Sequence, residues 1–299
     1  MAMNVEEILE KGRGMPVPRR EYRDGIDISV IGFGGIVVVG QEPSVGKDDV
    51  AWAFDRGVNY YDVAPSYFEG EAERKLGVSL QPYRDRSFLA CKTGKRDAQG
   101  ARAELERSLK RLKTDHFDLY QFHAVTTMDE VEQILGVGGA METYLRARDE
   151  GKIRYIGFSA HNEEAAISLL DRFDFDSVLF PVNYVCYAQG NFGPGIMAKA
   201  LERGASRLAL KGLAHRPWGE SEERSYAKTW YRPIDEKERM IQALRFTLSE
   251  PISAALPPGE EGLFHLAVDM VAALEPLSAE ERSDLLASAR DTAPIFSSF

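Results

Sequence analysis

The chain has 299 residues, 44% of them hydrophobic and 28% charged, enough apolar material for a sizeable core and more than a minimal domain needs. Its formal net charge of -10 excludes a surface built to track nucleic-acid phosphates, because that affinity comes from clustered Lys and Arg. The two cysteines, Cys91 and Cys186, lie too far apart for a CxxC pair or a zinc site, so a reducing cytoplasm is the expected setting. Residues 1–25 read as a lead-in. Positions 1–20 carry Glu6, Glu7, Glu10, Lys11 and Arg13 without the apolar stretch of a signal peptide, and Gly12, Gly14, Pro16 and Pro18 punctuate them. No run approaches the ~18 apolar residues of a membrane helix, so neither a membrane nor a nucleic-acid partner is expected.

Residues 26–299 read as one barrel domain. Short β-like runs alternate with helical ones at about 30 residues per pair, the size of a βα repeat. The expected strands are 28–33, 59–62, 87–92, 118–123, 153–159, 178–183, 207–211 and 252–256. Among the expected helices, 101–112 lines up Leu105, Leu109 and Leu112 on one face, and 141–150 stops just before Gly151. Alternating elements of this number close into a (β/α)8 TIM barrel. A doubly wound open sheet wants a GxGxxG turn after its first strand, and here the run IGFGG is followed by Val37 where the third glycine would fall. About 25 residues separate the seventh strand from the next helix, a length typical of functional lids. This long loop carries Arg216, Trp218, Trp230, Tyr231 and Arg232, whose aromatic rings either line a pocket or pack for stability. Residues 279–289 form an extra C-terminal helix.

In such a barrel the reacting groups come from the C-terminal ends of different strands. The second expected strand ends at Asp62 and turns to Tyr67 (NYYDVAPSY), the third ends at Lys92 (FLACKTG), and the fourth at His123 (DLYQFHA). Taken singly, Asp62 reads as a turn or helix cap, Lys92 as a solvated lysine, His123 as a structural histidine and Tyr67 as packing. One site explains all four at once. A phenol titrating near ~10 is a poor proton donor at neutral pH, and a neighbouring ammonium lowers that value by stabilising the phenolate. Lys92 does this for Tyr67, Asp62 keeps Lys92 charged, and His123 hydrogen-bonds the substrate oxygen. Opposite a hydride donor, the group reduces a carbonyl, with Tyr67 delivering the proton.

In order and strand context, Asp62, Tyr67, Lys92 and His123 resemble the Asp, Tyr, Lys, His tetrad of the aldo-keto reductases. The likeness extends over nearly the whole chain through GVNYYDVAPSY, DLYQFH and GKIRYIGFSAHN. It implies an oxidoreductase that uses NADP(H) or NAD(H) to interconvert an aldehyde or ketone and an alcohol. It also implies that Ser159 contacts the nicotinamide carboxamide and that Asn183 approaches the same ring. Lys211 stands where many members present an aromatic ring, Ala160 where the family often has Asn, and Pro181 where it commonly has Gln. The loop after the eighth strand, LPPGEEGLFH, sets Gly259, Glu260 and Glu261 against the cofactor without a Lys or Arg to grip a 2′-phosphate. The two glutamates either repel that phosphate and bind a ribose hydroxyl or favour the N-terminus of the next helix. Arg216, Lys228 or Arg232 of the long loop then supply the missing charge. Two other readings are a Schiff-base aldolase using Lys92 and a cofactor-binding sensor or assembly subunit. A metal hydrolase lacks further ligands beside Asp62 and His123.

Overall fold

The computed structural model describes residues 4–298, so positions 1–3 of the lead-in and position 299 of the barrel stretch lie outside the described residues. In chain order the strands are β1 (Arg19–Arg23), β2 (Ile26–Ser29), β3 (Phe33–Gly34), β4 (Tyr60–Asp62), β5 (Phe88–Thr93), β6 (Phe117–Val125), β7 (Ile153–Ala160), β8 (Ser177–Pro181), β9 (Ser206–Leu210), β10 (Ala214–Pro217), β11 (Tyr231–Pro233) and β12 (Ala254–Leu256). Strands β3 to β9 and β12 form one eight-stranded parallel sheet whose order follows the sequence. It closes on itself. Ile31 bridges Ala255, whose N–H donates to the Val30 carbonyl at 2.8 Å and whose carbonyl accepts from Gly32 N at 2.9 Å. With helices between the strands this is a (β/α)8 barrel.

The first expected strand, 28–33, divides into two. Residues up to Ser29 pair with β1 as an antiparallel hairpin, and the barrel begins only at Ile31. The break has a local cause: the Ser29 N–H donates to Asn59 Oδ1 at 2.7 Å, and Ser29 Oγ accepts from Asn59 N at 3.2 Å, which anchors the chain before it enters the ring. At Gly32 a Cβ would stand 2.5 Å from the Tyr60 ring, so only glycine passes there. The hairpin plugs the floor of the barrel. Tyr22 packs on Phe88 at 4.8 Å and on Tyr155 at 5.3 Å, ring centre to ring centre. These rings join Ile28, Tyr60, Leu119, Leu179, Leu208 and Ala254 in an inner core. Each of the larger apolar side chains among them contributes about 1.5–3 kcal/mol by leaving water.

A larger core lies between the sheet and the helices, and the helix Ala98–Leu112 shows how the sequence builds it. Asp97 caps its start by accepting from Gly100 N at 2.7 Å, and Leu105, Leu109 and Leu112 are buried along one face. The C-terminal helix, Ala279–Ser288, starts at a capping box of Ser278 and Glu281. Among the described residues no helix is long and apolar enough to cross a membrane.

The long connection after the seventh barrel strand is more ordered than a loop. β10 and β11 form an antiparallel ribbon in which Arg216 stands opposite Arg232. Both guanidiniums reach Glu222, at 2.7 and 2.5 Å, so one carboxylate at the tip neutralises a repulsive cross-strand pair. Lys228 fastens the tip to the barrel rim: its Nζ donates to the Val37 carbonyl at 2.9 Å and its N–H to Glu260 Oε1 at 2.6 Å.

Candidate active site

Strand side chains alternate between the two faces of a sheet, so the positions above the apolar floor also point inward. They are Asp62 on β4, Lys92 on β5, Gln121 and His123 on β6, and Ser159 on β7. Lys92 Nζ donates to Asp62 Oδ1, and the two side chains are only 1% and 2% exposed. Asp62 Oδ2 accepts from Gln121 Nε2 at 3.0 Å and from the Tyr60 hydroxyl at 3.2 Å. The buried carboxylate is thus hydrogen-bonded on both oxygens, which offsets the cost of taking it out of water. Burial draws the Lys92 ammonium down, but Asp62 and Tyr67 outweigh it and the net shift is upward. Lys92 is therefore a cation at neutral pH. A Schiff-base nucleophile must be a free amine, so this environment opposes the aldolase reading.

Tyr67 enters from the turn after β4, its N–H donating to the Ala64 carbonyl at 3.1 Å. Phe68, Glu69 and Gly70 follow with φ of 48°, 54° and 79°, a left-handed run that costs free energy at its two non-glycine members. The partly buried Tyr67 ring has Lys92 Nζ 5.5 Å from its centre and meets the His123 ring edge-on at 5.5 Å. The expected downward pull of Lys92 on this phenol exists but does not win: burial raises it more, Asp62 adds to the rise, and the net shift is upward. Tyr67 therefore stays a protonated donor. His123 is held down to about 3 by burial first, then by Lys92, His161, Arg96 and Lys211. It is a neutral imidazole, with Nδ1 3.3 Å from Ser66 Oγ.

Asp62, Tyr67, Lys92 and His123 all line one cavity of about 450 Å³, together with Ser159, Lys211 and Gly259. Ser159 Oγ accepts from Ala124 N at 2.8 Å, which leaves its O–H to donate into the cavity. Asn183 falls beyond the end of β8 and caps the helix Tyr184–Gln189. Its amide oxygen accepts from Val185 N and Cys186 N, and its Nδ2 donates to the carbonyls of Lys211 at 3.0 Å and Ala214 at 2.5 Å. It holds the backbone behind Lys211 and does not line the cavity. Gly259 is where the wall narrows, for a Cβ there would lie 2.4 Å from Ile36. Glu260 is engaged with Lys228 as described, and Glu261 Oε2 accepts from Gln41 Nε2 at 2.8 Å. Of the basic candidates in the ribbon, Arg216 and Arg232 are paired with Glu222, while Lys228 lines the cavity. Trp230 and Tyr231 line it too; Trp218 instead donates to the Thr229 carbonyl at 3.3 Å.

Gln121, His161 and Arg224 belong to the site or its walls without having been anticipated. The period-two alternation through DLYQFH was the available signal for Gln121, two residues before His123; Arg224 sits in the irregular ribbon tip, where no pattern points to it. Outside this cavity Asp49, Glu261 and His265 form a group spaced to hold a metal ion, with ligand atoms within 4.8 Å of one another. Gln41 Nε2 bridges its two carboxylates, donating to Asp49 Oδ2 at 2.7 Å as well as to Glu261.

A sequence model described as the Aldo/keto reductase family matches residues 30–199. The aldo-keto reductase YhdN of Bacillus subtilis (strain 168) is 36% identical over 152 residues, 45% of this chain and 44% of that protein. The chain thus spans about half the length of the curated relatives it matches. In fold, the chain is similar to the holo form of an aldo-keto reductase from Bacillus halodurans, with a TM-score of 0.70 and 22% identity over 91% of this chain and 96% of the other. It is also similar to an aldo-keto reductase from Klebsiella pneumoniae in complex with NADPH, with a TM-score of 0.66 and 21% identity over 90% and 93%.

Proposed function

The chain belongs to the aldo/keto reductase family, and from that premise we propose that it interconverts an aldehyde or ketone and an alcohol, with Tyr67 as proton donor. The observation that carries this reading is the convergence of Tyr67, His123 and the Lys92–Asp62 pair on one cavity of a size that suits a small organic molecule. His123, being neutral, donates a ring N–H to the carbonyl oxygen and positions it. Tyr67 passes its proton to that oxygen. The Lys92 ammonium, kept charged by Asp62, stabilises the phenolate left behind, while Gln121 and Tyr60 fix the carboxylate.

NADP(H) or NAD(H) is the implied cofactor, and when bound it supplies the hydride. The residues present fit such a group. Arg224 lines the cavity with no carboxylate or hydrogen-bond partner among the described residues, and Lys228 lies beside it in the ribbon tip. The helix Glu261–Val271 begins next to Gly259 and turns its unpaired N–H groups toward this end, an arrangement that favours phosphate. Ser159 would offer its hydroxyl to the carboxamide, and Lys211, its backbone anchored by Asn183, would stand against the ring. Gly259 would allow close approach at the ribose end, and Glu260 and Glu261 would act there only through Lys228 and Gln41, which they hold. Buried free Cys91 and Cys186 suit a reducing cytoplasm.

Assay of an aldehyde panel with each cofactor tests the reading. Tyr67→Phe should lower turnover about 10²- to 10⁴-fold, the usual range for loss of a general acid, while cofactor affinity by fluorescence titration stays unchanged. Undiminished turnover in that variant removes Tyr67 from the chemistry. Equal affinities for the two cofactors in the same titration remove Glu260 and Glu261 from cofactor choice.

A further inference from the structure

Ser66 stands at the start of the short turn Tyr67–Gly70, where a serine ordinarily caps the backbone N–H groups that follow, and it makes no such cap. Its hydroxyl reaches across to β6 instead. Oγ lies 3.3 Å from His123 Nδ1 and has no other hydrogen-bond partner among the described residues. Ser66, Tyr67 and His123 all line the cavity, and the Tyr67 ring meets the same imidazole edge-on at 5.5 Å. Two consecutive residues, followed by the left-handed backbone of Phe68 and Glu69, thus address one ring.

The backbone of His123 is held from both sides. Arg96 Nη2 donates to its carbonyl at 2.6 Å, and the next residue, Ala124, has φ of 51° and donates its N–H to Ser159 Oγ at 2.8 Å. These contacts leave the ring itself free: the torsion about Cβ–Cγ has two broad wells, and a half-turn exchanges a nitrogen edge for a carbon edge. The imidazole is neutral, mainly through burial. Its single proton can sit on either nitrogen, and the hydrogen bond made by one decides the state of the other. Nε2 has no hydrogen-bond partner among the described residues, so within the protein the choice falls to Ser66. If Nδ1–H donated to Ser66, the serine proton and the Nε2 lone pair would both lack a protein partner, and that lone pair would repel a carbonyl oxygen. With Ser66 donating to Nδ1, the group left over is an N–H at Nε2.

We infer that Ser66 is a positioning residue: its O–H donates to His123 Nδ1, opposes a half-turn of the ring and keeps the proton on Nε2, the form able to donate to a substrate oxygen. The tautomer stands on the geometry alone, while its effect on turnover rests on the carbonyl-reduction reading. A neutral hydrogen bond biases an equilibrium about two- to tenfold. Loss of the hydroxyl therefore lowers the fraction of correctly protonated rings without emptying it.

The test uses the full chain with Ser66→Thr, which keeps the hydroxyl, and Ser66→Val, which has nearly the same shape as threonine without it. Nitrogen-15 NMR of the imidazoles near neutral pH, with the His123 signals identified by their loss in His123→Asn, reads the tautomer directly. Nε2 should be protonated and Nδ1 unprotonated in the unsubstituted protein and in Ser66→Thr. In Ser66→Val the two signals should move toward each other, the mark of a mixture. Across the aldehyde panel, kcat should fall about two- to tenfold in Ser66→Val with a smaller change in KM, and return in Ser66→Thr. A proton on Nδ1 in the unsubstituted protein, the same ring state in all three proteins, undiminished kcat despite a mixed ring, or an equal loss of kcat in both variants overturns the proposal. A tautomer change confined to Ser66→Val, with no aldehyde turned over by the unsubstituted protein, supports the hold of Ser66 on the ring and defeats the reduction reading instead.

Discussion

Asp62 is the hub of the site because three donors, Lys92, Gln121 and Tyr60, converge on its two oxygens. That network explains why a lysine can be charged 1% exposed at the bottom of a cavity. The same burial makes the two nearby histidines poor bases, with His123 held at about 3 and His161 at about 4, each mainly by desolvation. In the unfolded chain both titrate near ~6.5. Their folded values lie below the unfolded one, so the unfolded state takes up more protons in that interval. Stability is then fully present above about pH 6.5 and is lost as pH falls toward 4 and 3. Urea midpoints measured from pH 7 to 4 should fall less steeply in His161→Asn than in the unsubstituted protein; identical slopes would mean that this histidine does not contribute. At this scale the convergence of the four residues on one cavity was legible because each lies at or near the end of a strand or in the turn after one, a position that can be counted in sequence. The direction of the Tyr67 shift was not, since sequence reveals a neighbouring lysine but not how much water the fold removes. Asn183 illustrates the same limit: its strand stops at Pro181, and the side chain turns to cap a helix.

Among the elements, the helix Ala98–Leu112 was visible in its leucine spacing, and the capping box at Ser278 marks the last helix within one residue of its expected span. The β10–β11 ribbon was not visible. Arg216 facing Arg232 is a pairing that sequence patterns disfavour, and it exists only because Glu222 folds back between them. Because solvent screens these exposed groups, Glu222→Gln should leave the global stability nearly unchanged. Locally it frees two like charges beside the tip. Trypsin should therefore cut at Arg224 or Lys228 faster in this variant at an unchanged melting temperature, and equal cleavage rates would show that Glu222 does not order the tip.

For the molecule as a whole, the repeat of strand and helix made the barrel readable, while its floor was not, because the hairpin belongs to no βα unit. Tyr22 lies in the lead-in yet fills the centre of the inner core against Phe88 and Tyr155. Tyr22→Ala should cost about 3–5 kcal/mol, as other large aromatic truncations in cores do, and denaturant unfolding would register it. A cost below about 1 kcal/mol would mean that the ring can be replaced by its neighbours. The seam of the barrel has a kinetic meaning. Ile31 meets Ala255, so the first ring strand finds one of its two neighbours only after more than two hundred further residues have been made. At ~5–20 residues per second that wait is on the order of 10–45 s on the ribosome. Throughout it, the outer edge of β3 presents bare backbone to anything in the cell able to add a strand, which makes the half-made chain, rather than the finished barrel, the form most exposed to aggregation.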